Sequence, residues 1–240
     1  MTRQVAVGGP QRGCGKTLLV LGLLRLLSKR GKNAAAWKPV DTGWLQYNAE
    51  DMPSDAERFR AAAELPEHIS LLNPYLLNST LPPQLAAQRD GVKIAAKTLD
   101  ERHSLLSRCY PVLLTELPPG LHTPLAEGVT VQTLLDKWTP TICWITDFSE
   151  PAVEQSLLAI PQLQASGHEV CLWLNNLDDE RDGDLIQFQW LRLEETLGLQ
   201  AWGMIPHVRS GLENVEAIAV AVESQLEPER MQEIEAWQAT

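Results

Sequence analysis

Short apolar runs alternate along the chain with longer segments in which apolar residues recur at helical spacing. The short runs predict strands at residues 5–8, 33–39, 111–116, 141–146, 170–175 and 201–205. The longer segments predict helices at residues 16–30, after Ser54, at residues 98–109 and 129–138, within residues 151–166, and at residues 189–197. Strands that alternate with helices of this length favour an α/β fold, in which a parallel sheet is covered by helices on both faces.

Two other stretches complete the expected organisation. Residues 73–83 are rich in Pro and Asn, and they predict a long irregular loop. The acidic tail, residues 227–240, carries Met231, Ile234 and Trp237 at helical spacing and predicts a short docking helix. Since no linker divides the rest of the chain, residues 1–226 are expected to form one domain.

A glycine-rich segment, GPQRGCGKT at residues 9–17, lies between the first predicted strand and the first predicted helix. This is the layout of a phosphate-binding loop (P-loop), in which backbone N–H groups surround phosphate oxygens at a helix N-terminus. The backbone of Gly13, Cys14 and Gly15 would hold the phosphates, Lys16 would bridge the terminal ones, and Thr17 would ligate Mg²⁺. The common pattern has a glycine at position 10, whereas here the glycine stands at position 9, which indicates a variant loop.

Charged side chains follow the predicted strands at the edge where this loop lies. Lys38 ends the second strand, with Asp41 and Thr42 close behind it, and Glu116 ends an apolar strand. Because ligands gather at the carboxyl ends of parallel strands, these side chains are expected near the loop. Glu116 is the candidate second support for Mg²⁺, directly or through water, and Lys38 can reach a transferring phosphoryl group.

The charge of the chain limits its partners. The 240 residues carry a formal net charge of -11, with a pI near 4.9, which argues against a general binder of nucleic acid or anionic membranes. No apolar stretch approaches the ~20 residues that span a bilayer, and no cleavable leader pattern is present, so a cytoplasmic protein is expected. The four cysteines show no Cys-x-x-Cys spacing, so neither disulfides nor zinc are expected.

Together these segments resemble the dethiobiotin synthetase family, collinearly from about Val5 to Pro206. In that family the loop has the same displaced first glycine, and Lys-Pro-Val followed by Ser/Thr-Gly is a signature. The matching segments are GPQRGCGKT at 9–17, WKPVDTG at 37–43, SD at 54–55, NPY at 73–75, Glu116, TPL at 123–125, Asn176 and GMIP at 203–206.

The resemblance implies an ATP- and Mg²⁺-dependent ligase that inserts CO2 between the two amines of 7,8-diaminononanoate and closes a cyclic urea. One amine would capture CO2 as a carbamate, the carbamate oxygen would attack the γ-phosphate, and the other amine would displace phosphate. Family members are homodimers that bind the diamine near the subunit interface, so a homodimer is expected here.

The resemblance also assigns roles to matching residues of this chain. Lys16 and Lys38 would stabilise negative charge on the phosphoryl and carbamate oxygens. Thr42 would contact the carbamate region. Arg12 lies in a part of the loop that departs from the family pattern, and we expect it to compensate there for charge lost elsewhere. The remaining assignments are Thr17, Asp55 and Glu116 to Mg²⁺ and Asn176 to the edge of the nucleobase.

Two segments depart from the family pattern. PQRGC at residues 10–14 replaces Thr-Asp-Thr-x-Val before Gly-Lys-Thr, and ELPPG at residues 116–120 replaces Glu-Gly-Ala-Gly-Gly. Leu117 adds a side chain and Pro118 removes a backbone donor where glycines would let a substrate approach. Two alternatives therefore stay open: a P-loop ATP-binding protein with a different substrate, and a nucleotide-dependent switch without ligase activity. Gln11 stands where switch ATPases of this fold carry a signature lysine, which counts against the switch.

Overall fold

The computed structural model of the chain describes residues 2–45 and 52–237. Its strands are β1 (Arg3–Gly8), β2 (Ala34–Trp37), β3 (Val40–Thr42), β4 (Tyr75–Leu77), β5 (Val112–Glu116), β6 (Pro124–Ala126), β7 (Val129–Thr130), β8 (Thr141–Asp147), β9 (Val170–Asn175) and β10 (Gly203–Ile205). The helices with described bounds are α1 (Lys16–Lys29), α2 (Asp55–Ala62), α3 (Ile69–Leu72), α4 (Pro83–Arg89), α5 (Ala96–Cys109), α6 (Val131–Trp138), α7 (Glu150–Ala165), α8 (Gly183–Leu197), α9 (Val215–Glu223) and α10 (Pro228–Glu235).

Six of these strands form one parallel sheet in the order β10-β9-β8-β1-β5-β2. β1 lies between β5 and β8, with Val7 opposite Glu116 and Gly8 opposite Trp144. β3 pairs with β4 and β6 pairs with β7 in two small sheets. Because the six strands are parallel, their carboxyl ends share one edge, and the loops that follow β1, β2, β5, β8 and β9 meet there.

The sheet is buried on both faces. Alternate residues of β1 enter different cores: Val5 and Val7 pack with the leucines of α1, whereas Ala6 packs in the core that contains residues of α5 to α8. This alternation follows from the two-residue period of a strand. The expected α/β fold, with helices on both faces of a parallel sheet, is confirmed.

Helix α1 is almost entirely internal, and it fixes the position of the glycine-rich loop. Its leucines at positions 19, 21, 23, 24, 26 and 27 are at most 1% exposed, and each buried leucine side chain contributes about 2 kcal/mol. Gly22 lies against α9, where an added Cβ would stand 2.4 Å from Cγ2 of Val222. After Lys29 the chain leaves the helix, and Gly31 follows with a φ of 69°, a left-handed conformation that suits glycine after a helix end.

Three sequence expectations about elements need correction. Residues 73–83 are not one irregular loop, because β4 lies within them and pairs in parallel with β3, Val40 opposite Tyr75. Such a three-residue strand is formed by pairing with a distant segment, so it leaves no local pattern. The helix expected from residue 129 begins at Val131, since Thr130 caps it by accepting a hydrogen bond from the Thr133 N–H. Helix α8 begins at Gly183, six residues before the predicted start, where Asp182 caps it.

The tail contains α10, which lies against the same core as α1. Ile234 and Trp237 are buried, and the rings of Trp237 and Trp202 lie 6.2 Å apart between centroids. Arg230 stands over the Trp202 ring at 5.1 Å, within cation–π range. The division of the chain at residue 226 stays a prediction. Neither this helix nor any other in the described ranges has the length and apolar character needed to cross a membrane.

Candidate active site

The glycine-rich loop connects β1 to α1, as the sequence predicts, and each glycine at its bends has a structural reason. Gly13 and Gly15 have φ values of 76° and 110°, which L-residues with a side chain rarely adopt. A Cβ at Gly9 would lie 2.6 Å from both the Cys14 Sγ and the Ile145 backbone oxygen. The displaced first glycine is therefore required by close packing against the sheet.

Lys16 lies folded across the loop. Its Nζ donates to the backbone oxygen of Gln11 at 2.7 Å and lies 3.7 Å from the Cys14 Sγ. This places the ammonium within the curve of the loop, where a P-loop lysine meets the terminal phosphates. Burial raises the pKa of the Cys14 thiol, although Lys16 opposes the rise, so Cys14 is a buried neutral thiol.

Lys38 lies at the centre of a buried cluster of three carboxylates. Its Nζ is 3.0 Å from Glu116 Oε1 and 3.1 Å from Asp41 Oδ1, and it also contacts Asp55 Oδ2. The hydroxyl of Thr17 joins the cluster, 3.1 Å from Glu116 Oε1 and 3.3 Å from Asp55 Oδ2. The predicted metal residues therefore converge on one point beside the first turn of α1.

The fold explains this convergence. Glu116 is the last residue of β5 and lies opposite Val7 of β1, so its side chain emerges beside the loop. Asp55 opens α2, which is held by a capping box between Ser54 and Glu57, a device that fixes the first helical turn. Lys38 follows β2 at the same edge.

Burial and the neighbouring charges shift the pKa values of three groups in this cluster. Burial alone would lower the pKa of Lys38, but the surrounding carboxylates, with Glu116 the strongest, raise it well above its usual value. Burial raises the pKa of Glu116 to about 7 in spite of Lys38, and it also raises the pKa of Asp41. Lys38 therefore stays cationic, whereas the raised pKa of Glu116 lets this buried carboxyl group hold a proton near neutral pH.

The residues present fit a Mg²⁺ ion. Glu116 is 1% exposed, and its Oε2 has no hydrogen-bond partner, although a buried carboxylate oxygen is normally paired. Within residues 2–45 and 52–237 no three His, Cys, Asp or Glu side chains form a ready metal cage. Mg²⁺ beside a nucleotide needs none, because it takes one or two carboxylates together with phosphate oxygens and water. Thr17, Asp55 and Glu116 supply the hard oxygen donors that such a site uses.

These groups open into a cavity of about 610 Å³. The sequence-predicted residues Arg12 and Thr42 both line it, and the Arg12 guanidinium donates to Oγ1 of Thr42. His207 and Leu212 also line it. A cavity of this size can hold a nucleotide together with part of a small substrate.

Two adjacent asparagines stand at the end of β9, Asn175 as its last residue and Asn176 just after it, and only Asn176 is predicted at the site from the sequence. Asn176 lines the cavity, as a residue that reads a nucleobase edge would, and its backbone N–H donates to the Ile205 oxygen at 2.9 Å. Asn175 is 1% exposed and its Nδ2 donates to the Cys14 backbone oxygen at 3.1 Å. Asn175 therefore supports the loop from below. The Asn-Asn pair at a strand end is the sequence signal that could have indicated it.

The divergent stretch after β5 has no free backbone donor. The N–H of Leu117 donates to the Val7 oxygen and that of Gly120 to the Gly9 oxygen, each at 3.0 Å, while Pro118 and Pro119 have none. Leu117 is fully buried, and it lines the cavity with the two prolines. This wall of the cavity is consequently apolar.

The side chain of Gln11 is hydrogen-bonded within its own chain. Its Nε2 donates to Asp147 Oδ2 at 2.9 Å and to Ser149 Oγ at 3.3 Å. Asp147 is 1% exposed at the end of β8, and no sequence pattern predicts a role for it.

Comparison with known proteins agrees with this geometry. A family profile described as an AAA domain matches residues 3–219. The chain belongs to this family. Among solved structures, the MinC:MinD cell division protein complex of Aquifex aeolicus aligns with a TM-score of 0.56 at 12% identity, covering 92% of this chain and 86% of that one. Aquifex aeolicus MinD aligns with a TM-score of 0.55 at 12% identity, covering 98% and 95%. These likenesses confirm the P-loop NTPase-like fold.

Curated relatives carry a shared name. The ATP-dependent dethiobiotin synthetase BioD of Xylella fastidiosa is 27% identical over 206 residues, which cover 86% of this chain and 91% of the relative. The protein of that name from Aromatoleum aromaticum is 24% identical over 205 residues, covering 84% and 89%. The expected resemblance to dethiobiotin synthetases is thereby confirmed, and the relatives support an ATP-dependent ligase.

Proposed function

We propose that this protein is an ATP- and Mg²⁺-dependent cyclo-ligase of the dethiobiotin synthetase type, which carboxylates 7,8-diaminononanoate with CO2 and closes the ureido ring. The observation that carries the proposal is the buried cluster in which Lys38 meets Asp55 and Glu116 beside Thr17 and the P-loop. A P-loop with a second buried lysine next to its metal donors suits the activation of an oxyanion by phosphoryl transfer.

In this proposal the reaction runs through a carbamate. One amine of the diamine adds to CO2, the carbamate oxygen attacks the γ-phosphate of ATP, and the second amine then displaces phosphate as the ring closes. Negative charge grows on the phosphoryl and carbamate oxygens, so two preorganised ammonium groups are the main electrostatic support. Lys16 lies within the loop that would hold the phosphates, and Lys38 lines the same cavity as Thr42, where the substrate would bind.

The other residues bind and orient. The backbone of Gly13, Cys14 and Gly15 holds phosphates, and Asn176 contacts the nucleobase edge. Mg²⁺, held by Thr17, Asp55 and Glu116, would neutralise charge on the β- and γ-phosphates. Arg12 and Thr42, already in contact, bind the substrate next to Lys38.

The proposal extends to the assembly and its surroundings. We infer a cytoplasmic homodimer, on the family resemblance, that binds neither nucleic acid nor membrane. The formal net charge of -11 supports the last point, because phosphate backbones and anionic lipids would repel such a chain.

A second candidate function rests on the wall formed by Leu117, Pro118 and Pro119. Because this wall offers the substrate no backbone N–H, it favours a related P-loop ligase that acts on a different and more apolar substrate. A nucleotide-dependent switch is less well supported, since Gln11 is bound to Asp147.

The test is a single reaction. Purified protein is incubated with diaminononanoate, bicarbonate, Mg²⁺ and ATP, and the product is analysed by mass spectrometry for dethiobiotin. A matched pair of variants controls for charge: Lys16→Ala should abolish product, whereas Lys97→Ala, at an exposed lysine, should leave it unchanged. ATP binding without dethiobiotin would reject the proposed substrate and leave the second candidate.

A further inference from the structure

Asp41 is a buried carboxylate with no assigned role beside the proposed site. It is 4% exposed and lines the same cavity as Lys38. Its Oδ1 accepts two hydrogen bonds, from the Thr42 N–H at 2.8 Å and from Lys38 Nζ at 3.1 Å. Its Oδ2 has no hydrogen-bond partner. One oxygen is therefore fixed in place by the backbone, and the other has unused acceptor capacity.

The ammonium of Lys38 shares its acceptors with the proposed metal site. Nζ of Lys38 contacts Asp55 Oδ2 and Glu116 Oε1, and the Thr17 hydroxyl contacts the same two oxygens. A metal ion held by Thr17, Asp55 and Glu116 would share these two carboxylates with Lys38, whether it takes the unpartnered Oε2 of Glu116 or the oxygens that Lys38 now binds. Two cations so close together would repel each other strongly at low dielectric. Lys38 must therefore give up at least part of this contact when a metal ion binds.

Asp41 is the third carboxylate that contacts the Lys38 ammonium. We propose that the Lys38 ammonium occupies the metal site when no metal ion is bound. When a divalent ion binds Asp55 and Glu116, Asp41 receives this ammonium and so acts as its positioning residue. The Thr42 N–H fixes Oδ1 of Asp41 in place. The unpartnered Oδ2 can accept the N–H donors that Lys38 withdraws from Asp55 and Glu116. The inference rests on the proposed function only for the place of the metal ion.

Charge balance supports this arrangement. When all three carboxylates are ionised, as a bound divalent ion favours, the one ammonium leaves two negative charges, which that ion neutralises. After the exchange, Asp55 and Glu116 face the ion and Asp41 faces Lys38, so every buried charge has a partner. The ammonium then stays beside Thr42 and Arg12, on the side of the cavity where the proposed carbamate would form.

The test is a double-mutant cycle on metal affinity. Mn²⁺ replaces Mg²⁺ as the probe, and free Mn²⁺ is measured by electron paramagnetic resonance with a saturating non-hydrolysable ATP analogue. Lys38→Met should tighten Mn²⁺ binding about tenfold because it removes the competing ammonium, and Asp41→Asn should weaken it about tenfold because Lys38 loses its alternative acceptor. In the Lys38→Met background, Asp41→Asn should weaken binding about threefold or less. The exposed Asp184→Asn controls for loss of one negative charge.

Each outcome decides the question. If Asp41→Asn weakens Mn²⁺ binding equally in both backgrounds, Asp41 is a simple charge or ligand for the metal, and the inference is overturned. Unchanged Mn²⁺ affinity in Lys38→Met would also overturn it. If Lys38→Met shows no cooperative thermal unfolding, Lys38→Gln supplies the same cycle, because its amide can still donate to one carboxylate. If the two substitutions are coupled but the protein makes no dethiobiotin, this inference stands and the proposed reaction is rejected. If the protein makes dethiobiotin but the two substitutions are not coupled, only this inference is rejected.

Discussion

The buried imidazole of His103 should make the stability of the protein depend on pH. His103 is 6% exposed and stacks on Trp138, with ring centroids 4.2 Å apart and an interplanar angle of 7°. Burial lowers the pKa of His103 from 6.5 to about 4, although the carboxylate of Asp100 opposes the shift. The neutral ring is therefore favoured in the folded state well below the pH at which it protonates in the unfolded chain.

The sign and the size follow from proton linkage. Between about pH 6.5 and pH 4 the unfolded chain binds a proton that the folded protein does not, so the free energy of unfolding falls as the pH falls. Each unit of pKa difference is worth about 1.4 kcal/mol. The expected loss from His103 alone is about 2.5 kcal/mol on going from about pH 7 to about pH 4.5.

His103→Phe is the matched perturbation, because phenylalanine keeps a flat ring against Trp138 and has no proton to gain. Urea unfolding at about pH 7 and about pH 4.5 gives the free energy of unfolding of each protein at both pH values. Because carboxylates titrate in both proteins, only the difference between their two losses of free energy is attributed to His103. The variant should lose about 2.5 kcal/mol less than the wild type. Equal losses would refute the reasoning. The exposed His122→Phe should behave like the wild type.

Three further outcomes concern the site. Lys16→Ala should abolish ATP-dependent turnover with an unchanged circular dichroism spectrum, and retained turnover would exclude Lys16 from the chemistry. Gly15→Ala should greatly weaken ATP binding measured by calorimetry, because its Cβ would lie 2.3 Å from Asn175 Nδ2 at a φ of 110°; wild-type affinity would show that the loop can adjust. Lys38→Gln should lower kcat far more than it changes the Kd for ATP, as expected for a contact made mainly in the transition state, and an effect confined to KM would contradict that role.

The alternation of strands and helices could be predicted because a parallel sheet buried on both faces makes its strands nearly continuous apolar runs. β9 and α1 follow such patterns and lie within a residue of their predicted bounds. β4 could not be predicted in the same way. Its three residues pair with β3, more than 30 positions earlier, and a contact between distant segments leaves no local periodicity.

The same distinction separates the predicted and the missed residues of the site. Lys38 and Glu116 could be singled out because a charged residue at the end of an apolar strand stands out in the sequence, and parallel strands bring such ends together. Asp147 and Asn175 are buried polar residues whose partners, Gln11 and the Cys14 carbonyl, lie 136 and 161 positions away. The Asn-Asn pair could have drawn attention to Asn175, but the contacts by which both side chains support the loop are visible only in the folded chain.

The stretch from Leu117 to Gly120 shows why a sequence departure alone does not define a substrate. From the sequence, Pro118 and Pro119 remove backbone donors, and the obvious inference is a damaged binding wall. In the structure the two donors that remain, on Leu117 and Gly120, are bound to Val7 and Gly9, so the stretch braces β1 and the start of the P-loop. Polar groups of a substrate must then be met by side chains across the cavity. Under the proposed function, the contact between Arg12 and Thr42 is where we expect these polar groups to be recognised.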